Sequence, residues 1–172
     1  MIATSFSLIA YFATGFQNTP SAFFTWVMWL FLDLLAAESL VVLISALFPI
    51  FVVALALTAF ANGLWMCTGG FLITQPLLNN FYRYVFHYID YQSYVFEGMM
   101  INEFQNRVYD CDAGCHCLYQ TELAEQCKVS GKGVLAAYGY ASEKSAKGVG
   151  IMLCIIFVYR FLAWIVLSLK KR

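Results

Sequence analysis

The chain has 172 residues, 62% of them hydrophobic and 12% charged, and its ten basic and ten acidic side chains balance to a formal charge of zero. Soluble domains carry about a quarter charged residues, so this composition excludes an ordinary soluble domain and classes the chain as a membrane protein. The balanced charge, with Lys170-Lys171-Arg172 as its one basic block, also speaks against nucleic acid as a partner.

The first apolar run, Ile2 to Phe16, is shorter than the ~20 residues that a helix needs to cross about 30 Å of hydrocarbon. No basic residue precedes it and further membrane spans follow, unlike a secretory signal peptide. Residues 1–16 are therefore expected to be the tail of a truncated span, and the chain the C-terminal piece of something larger. Gly15 to Ser21 reads as a tight connection, because Gly and Pro stop helices and Asn and Ser favour turns.

Two full-length spans follow, 22–48 and 50–73, separated by Pro49. Proline lacks an N–H and disfavours helix at the residue before it, so one helix should end near Phe48 and the next begin with Pro in its first turn. Gly69-Gly70 is expected to admit a neighbouring backbone, with local unwinding as the alternative, and Pro76 to close the element.

From Phe81 to Phe96 aromatic residues interleave with charge. At about 100° per residue, Arg83, His87, Asp90 and Glu97 fall within an arc of about 80° on one helix. Tyrosine favours the boundary between hydrocarbon and headgroups, so residues 79–100 are expected to re-enter the membrane without crossing, or to lie as a surface amphipathic helix.

Residues 104–147 form the only extended polar region, and 148–169 the last span. The basic tail should be cytosolic by the positive-inside rule, which places the large loop on the exoplasmic side of a plasma membrane or endomembrane. Cys111, Cys115, Cys117 and Cys127 lie in that oxidising loop, where two disulfides follow in any of three connectivities, or one cysteine reaches a partner chain. Zinc held by these thiolates and His116 is the rival, but the spacing fits no common finger, and no metal is expected. Cys67 and Cys154 read as buried small apolar residues.

Asp33, Glu38 and Arg160 fall within spans, where a bare charge costs about 2.5–3.5 kcal/mol on insertion scales. Glu38 and Arg160 lie roughly 15 Å from the cytosolic helix ends at about 1.5 Å per residue, and this shared depth suggests an ion pair. The alternative has Arg160 snorkelling to headgroups and Glu38 protonated or facing a polar cavity. No phosphate loop is present: Gly131-Lys132-Gly133 lacks the spacing and, as read here, the strand-to-helix setting. Both histidines, His87 and His116, have plainer explanations than a Ser-His-Asp site.

Several segments resemble the G-type ABC transporters, the white and pleiotropic-drug-resistance subfamily. Phe96-Glu97-Gly98-Met99-Met100-Ile101-Asn102-Glu103-Phe104 is similar to the segment that ends in Asn-Glu-Phe before that family's large external loop. Ala37-Glu38-Ser39-Leu40 with Ile44-Ser45-Ala46-Leu47 resembles its fourth membrane helix, and Gly69-Gly70-Phe71-Leu72-Ile73 the end of its fifth. The ordered set covers nearly the whole chain.

The resemblance implies an all-α membrane protein of ABC-2 type, with a re-entrant helix and a cysteine-containing external loop. By position, Asn62, Gly63 and Met66 would face a central substrate cavity, and Phe71 and Leu72 would form an apolar plug, with Phe in place of the more usual Leu. It implies export of lipids, sterols or lipophilic drugs by a homo- or heterodimer of half-transporters. ATP and Mg would bind a nucleotide-binding domain absent from these residues, together with the first membrane helices. This chain by itself carries no ATPase motif and no cofactor. A tetraspanin-type scaffold would share the large cysteine-bearing loop but lacks the Cys-Cys-Gly signature, and a lipid-modifying enzyme would rest thinly on Arg83, His87 and Asp90.

Overall fold

The computed structural model describes residues 2–74, 77, 79–111, 115, 117–119, 121–140 and 145–170. In chain order the helices are α1 (Ile2–Ala13), α2 (Pro20–Leu47) and α3 (Phe51–Thr68). A π-helical segment, Tyr82–Phe86, continues into the single turn α4 (His87–Ile89), and α5 (Tyr91–Phe104) follows. The loop region holds β1 (Val108–Asp110), β2 (Lys128–Ser130) and α6 (Gly131–Tyr138), and the chain closes with α7 (Ser145–Lys170). Among the described residues, three helices are long and apolar enough to cross a membrane: α2, α3 and the Ala146–Lys170 part of α7.

Helix α2 starts with Pro20 in its first turn after an extended Thr19, where the missing N–H forfeits nothing and the fixed φ suits the helix. It ends because Phe48, pushed out of helical geometry by Pro49, is extended. Pro49 does not enter the first turn of α3, contrary to the sequence expectation: Ile50 is extended as well and α3 begins at Phe51.

Helix α2 is the centre of the fold. Trp29, Leu32, Ala36 and Leu40 on its buried face pack with Tyr91 and Val95 of α5 and Met152 of α7. Trp29 is fully buried, and two glycines make room for it: a Cβ at Gly98 of α5 would strike its indole ring, and one at Gly148 of α7 would stand 3.1 Å from it. In lipid, apolar surface gains little by leaving hydrocarbon, so close approach of small residues decides which helices associate.

Helices α2 and α7 run parallel. Gly148 meets Trp29, the Arg160 Nε donates to Ser39 Oγ at 3.0 Å, and the Lys170 ammonium donates to the Ala46 and Leu47 carbonyls at 2.5 and 3.0 Å. A cation on the open carbonyls of a helix C-terminus is favourable. The α1–α2 connection and the cysteine-bearing loop therefore share one end of the bundle, and the Pro49 link and Lys170 share the other. At the loop end, Asn102 Nδ2 donates to the Ala22 carbonyl at 3.0 Å, while the Gln17 amide donates to Glu103 Oε2 at 3.1 Å. Arg107 pairs with the same Glu103 carboxylate.

In the loop, β1 and β2 pair antiparallel, with Tyr109 opposite Val129. Two disulfides, Cys111–Cys117 and Cys115–Cys127, close it, and Ile101, Leu135 and Tyr140 pack it onto α5. These bridges take all four thiols that a zinc site would need. His116 lies outside the described residues, and among those residues no group of three or more His, Cys, Asp or Glu is placed to hold a metal.

Candidate functional site

The site of interest is the loop-side end of α3. Helix α3 stops at Thr68, and Gly70 takes a positive φ of 94°, so the chain from Gly69 to Ile73 is bent rather than helical. Unwinding, the alternative in the sequence reading, is thus the local structure, because glycine adopts that φ without a Cβ penalty. Backbone and side chains both come close to the glycines: a Cβ at Gly69 would stand 2.8 Å from the Trp65 carbonyl oxygen, 3.2 Å from Asp90 Oδ2 and 3.5 Å from the backbone nitrogen of Ser93 in α5, so a neighbouring backbone does approach there, and one at Gly70 would collide with the Tyr140 hydroxyl. Pro76 lies outside the described residues.

Beyond the glycines, Phe71 and Leu72 are about three-fifths exposed, at 62% and 61%. The Phe71 ring meets Phe96 edge-on at 5.8 Å. On the loop side a pocket of about 420 Å³ opens between Phe71, Phe96, Met100, Tyr109, Tyr119 and Tyr138. On the helix itself Gly63 and Met66 are exposed, with nothing within 4 Å of a Cβ built at Gly63. Asn62 is turned inward, where its Oδ1 accepts from the Tyr91 hydroxyl at 2.8 Å and its Nδ2 donates to the Thr58 carbonyl at 3.0 Å. Of the three cavity candidates, Asn62 thus holds α3 to α5 while Gly63 and Met66 stand open.

A buried polar knot fixes this end of α3. The Thr68 hydroxyl donates to Asp90 Oδ2 at 2.9 Å, and His87 Nδ1 donates to the Thr68 carbonyl at 3.1 Å. The Gln92 amide donates to Asp90 Oδ1 at 2.8 Å, and Ser93 Oγ lies 2.9 Å from the His87 carbonyl. Asp90 is extended and caps α5, as aspartate does at helix N-termini. The polar stripe expected on one helix is therefore not formed. The chain breaks at Asp90, leaving Arg83 exposed and both His87 and Asp90 buried. Thr68 and Ser93 had no place in the sequence reading and Tyr91 entered it only among the boundary aromatics, because their contacts with Asp90 and Asn62 carry no periodic signal.

The other intramembrane charges lie lower. Arg160 Nη2 stands 3.2 Å from Glu38 Oε1, and Arg160 also donates to Ser39. Asp33 is half-buried, and its Oδ1 accepts no hydrogen bond among the described residues. Cys67 and Cys154 are exposed on the helix surfaces rather than buried, since thiols on outward faces suit hydrocarbon as well as a core does.

In the loop, burial raises the Tyr109 phenol above its ordinary pKa and the Glu103 charge adds to that rise. Burial likewise raises Tyr140, followed by the charge of Glu97. Both phenols stay neutral at physiological pH. Gly131-Lys132-Gly133 does follow a strand and open a helix, which corrects the sequence reading of its setting. It cannot cradle phosphate, because the Gly131 amide donates to the Arg107 carbonyl at 2.9 Å and Gly131 is packed against the Phe104 carbonyl.

Residues 1–104 match the family model described as the ABC-2 type transporter. The chain is 29% identical to ABC transporter G family member 5 of Arabidopsis thaliana over 172 residues, covering 99% of this chain and 25% of that protein. With ABC transporter G family member 1 of Petunia hybrida it shares 34% over 104 residues, 59% of this chain and 16% of that one. With ABC multidrug transporter A of Aspergillus fumigatus it shares 30% over 176 residues, 93% of this chain and 12% of that one. The chain thus spans about a quarter or less of the length of these relatives.

Proposed function

Because this chain belongs to the ABC-2 type transporter family, as a multi-pass membrane part of its G subfamily, we propose that it forms one wall and the gate of a route by which lipophilic molecules are exported. The observation that carries this reading is the end of α3, where a glycine break presents Phe71 and Leu72 just beyond an open helix face bearing Gly63 and Met66. Apolar cargo gains affinity from such a face by burying area, at about 25 cal/mol per Å². Lipids, sterols and drugs are the cargo class, and the multidrug name of one relative supports it. The open face of α3 needs an opposing wall, which a second half-transporter of the same kind would supply.

Energy would come from ATP and Mg²⁺ on a nucleotide-binding domain outside these 172 residues; the Gly131-Lys132-Gly133 turn does not fit a nucleotide phosphate, because the Gly131 amide is taken by the Arg107 carbonyl. The disulfide-bonded loop supports an exoplasmic position for that end and hence a cytosolic one for Lys170. Family membership removes the ground for the tetraspanin alternative.

The test is transport by the chain assembled with its nucleotide-binding domain in sealed vesicles. Leu72→Ala and Phe71→Ala are expected to raise ATP-independent leak of a lipophilic dye, and Met66→Arg to abolish ATP-driven uptake without loss of protein. Unchanged dye movement in all three variants would overturn the assignment.

A further inference from the structure

A groove separate from the α3 gate runs down the outer side of the bundle between α4 and α7. It encloses about 700 Å³ and is walled by Tyr88 and Ile89 on one side and by Gly150, Cys154 and Val158 on the other, with Lys147 at its loop end. Residues 147, 150, 151, 154, 155 and 158 follow the three-and-four spacing of one helix face. Gly150 contributes no side chain, and a Cβ there would meet nothing within 4 Å. Apart from the ammonium and the tyrosine hydroxyls, every wall is apolar.

The depth of the groove follows from α7. Lys147 and Lys170 are 23 residues apart, roughly 35 Å at 1.5 Å per residue, slightly more than a hydrocarbon core of about 30 Å. With Lys170 bound to the carbonyl end of α2, Lys147 reaches the headgroup level of the leaflet beside the disulfide-bonded loop. From Lys147 to Val158 the groove descends about 16 Å, the depth of one leaflet. A cation at phosphate height above an apolar slot one acyl chain long matches a phospholipid. A sterol would offer the lysine only a hydroxyl.

We propose that this groove is a binding site for one anionic phospholipid, with an acyl chain lying along Gly150 to Val158 and the phosphate on Lys147. The site stands apart from the gate and does not depend on the export reading. It would anchor α4, and with it Asp90 and the knot below Phe71, to the surrounding leaflet.

The test uses the full chain in phosphatidylcholine vesicles doped with phosphatidylglycerol, or with more phosphatidylcholine, bearing a diazirine halfway along one acyl chain. Trypsin then releases Gly148–Arg160, or residues 145–160 from the Lys147→Gln variant, and fragmentation places the adducts. Adducts are expected on Ile151, Cys154 and Val158 rather than on the outward Leu153 and Phe157. They should be about fivefold more frequent with phosphatidylglycerol, as one membrane-surface lysine implies. Lys147→Gln should equalise the two lipids, and Cys154→Trp should remove the adducts at Ile151 and Val158. Adducts spread evenly around the helix, competition by cholesterol but not by unlabelled phosphatidylglycerol, or a lipid preference that survives Lys147→Gln would each overturn the proposal.

Discussion

Helices α2 and α3 are written in nearly the same apolar alphabet, yet the fold uses them in opposite ways. Helix α2 buries Ala22, Trp29, Leu32, Ala36, Ser39, Leu40 and Ala46, whereas α3 buries only Ala54 and Thr68. The difference lies in fit rather than hydrophobicity: Trp29 is matched by Gly98 and Gly148, while Phe51, Leu55, Phe60 and Met66 of α3 project outward. A membrane helix that its own chain leaves open is available for a partner helix or for cargo, and α3 runs on into a bent segment with Phe71 and Leu72 exposed.

The sharpest way to break this contrast is to remove the wedge. Trp29→Ala should destabilise the chain by about 3–5 kcal/mol, as large-to-small core changes do, whereas Met66→Ala should stay within about 0.5 kcal/mol, as changes away from packed sites do. Thermal unfolding in detergent, followed by intrinsic fluorescence and by circular dichroism, compares the two. If both variants melt alike, the division into packed and open helices is wrong.

Next in size is overpacking. Gly98→Val should cost about 1–3 kcal/mol, and pairing it with Trp29→Val should recover part of that loss, whereas Gly63→Val on the open face should melt as the parent does. Of about the same size is the effect of the knot that holds the end of α3. Thr68→Val leaves a buried carboxylate short of one donor, worth about 1–3 kcal/mol, and should loosen residues 69–73 first. Hydrogen exchange at those amides would rise while that of α2 stays unchanged. The smallest change tests the charges between α2 and α7: Glu38→Arg and Arg160→Glu should each lower membrane yield, and the double reversal should restore it. Failure of the swap would mean that the 3.2 Å contact is incidental.

Much of this was legible in the chain itself. Apolar runs long enough to cross hydrocarbon mark α2, α3 and α7 because a spanning helix must satisfy its own backbone. Depth arithmetic put Glu38 and Arg160 level, and they meet. What escaped the sequence were matters of contact rather than period. A continuous 100° stripe gave no sign that Asp90 would cap a new helix, because capping depends on one hydrogen bond, to Gln92. The bend at Gly69-Gly70 depended on Asp90 and Tyr140 coming from distant segments. Disulfide connectivity was likewise not legible: the antiparallel pairing of β1 with β2 brings the Cys111 amide to the Cys127 carbonyl at 2.8 Å, yet the bridges join Cys111 to Cys117 and Cys115 to Cys127. The inward turn of Asn62 toward Tyr91 is of the same kind, since a family resemblance supplies a position but not a rotamer.

The account turns on whether the open face of α3 meets cargo or merely lipid. With Cys67 and Cys154 replaced by serine, single cysteines at positions 63 and 66 can be compared with one at Phe157 on the outward face of α7 in the assembled transporter. The account predicts that a lipophilic transport substrate slows maleimide labelling at 63 and 66 but not at 157. Equal protection at all three positions, or none at 63 and 66, would contradict it.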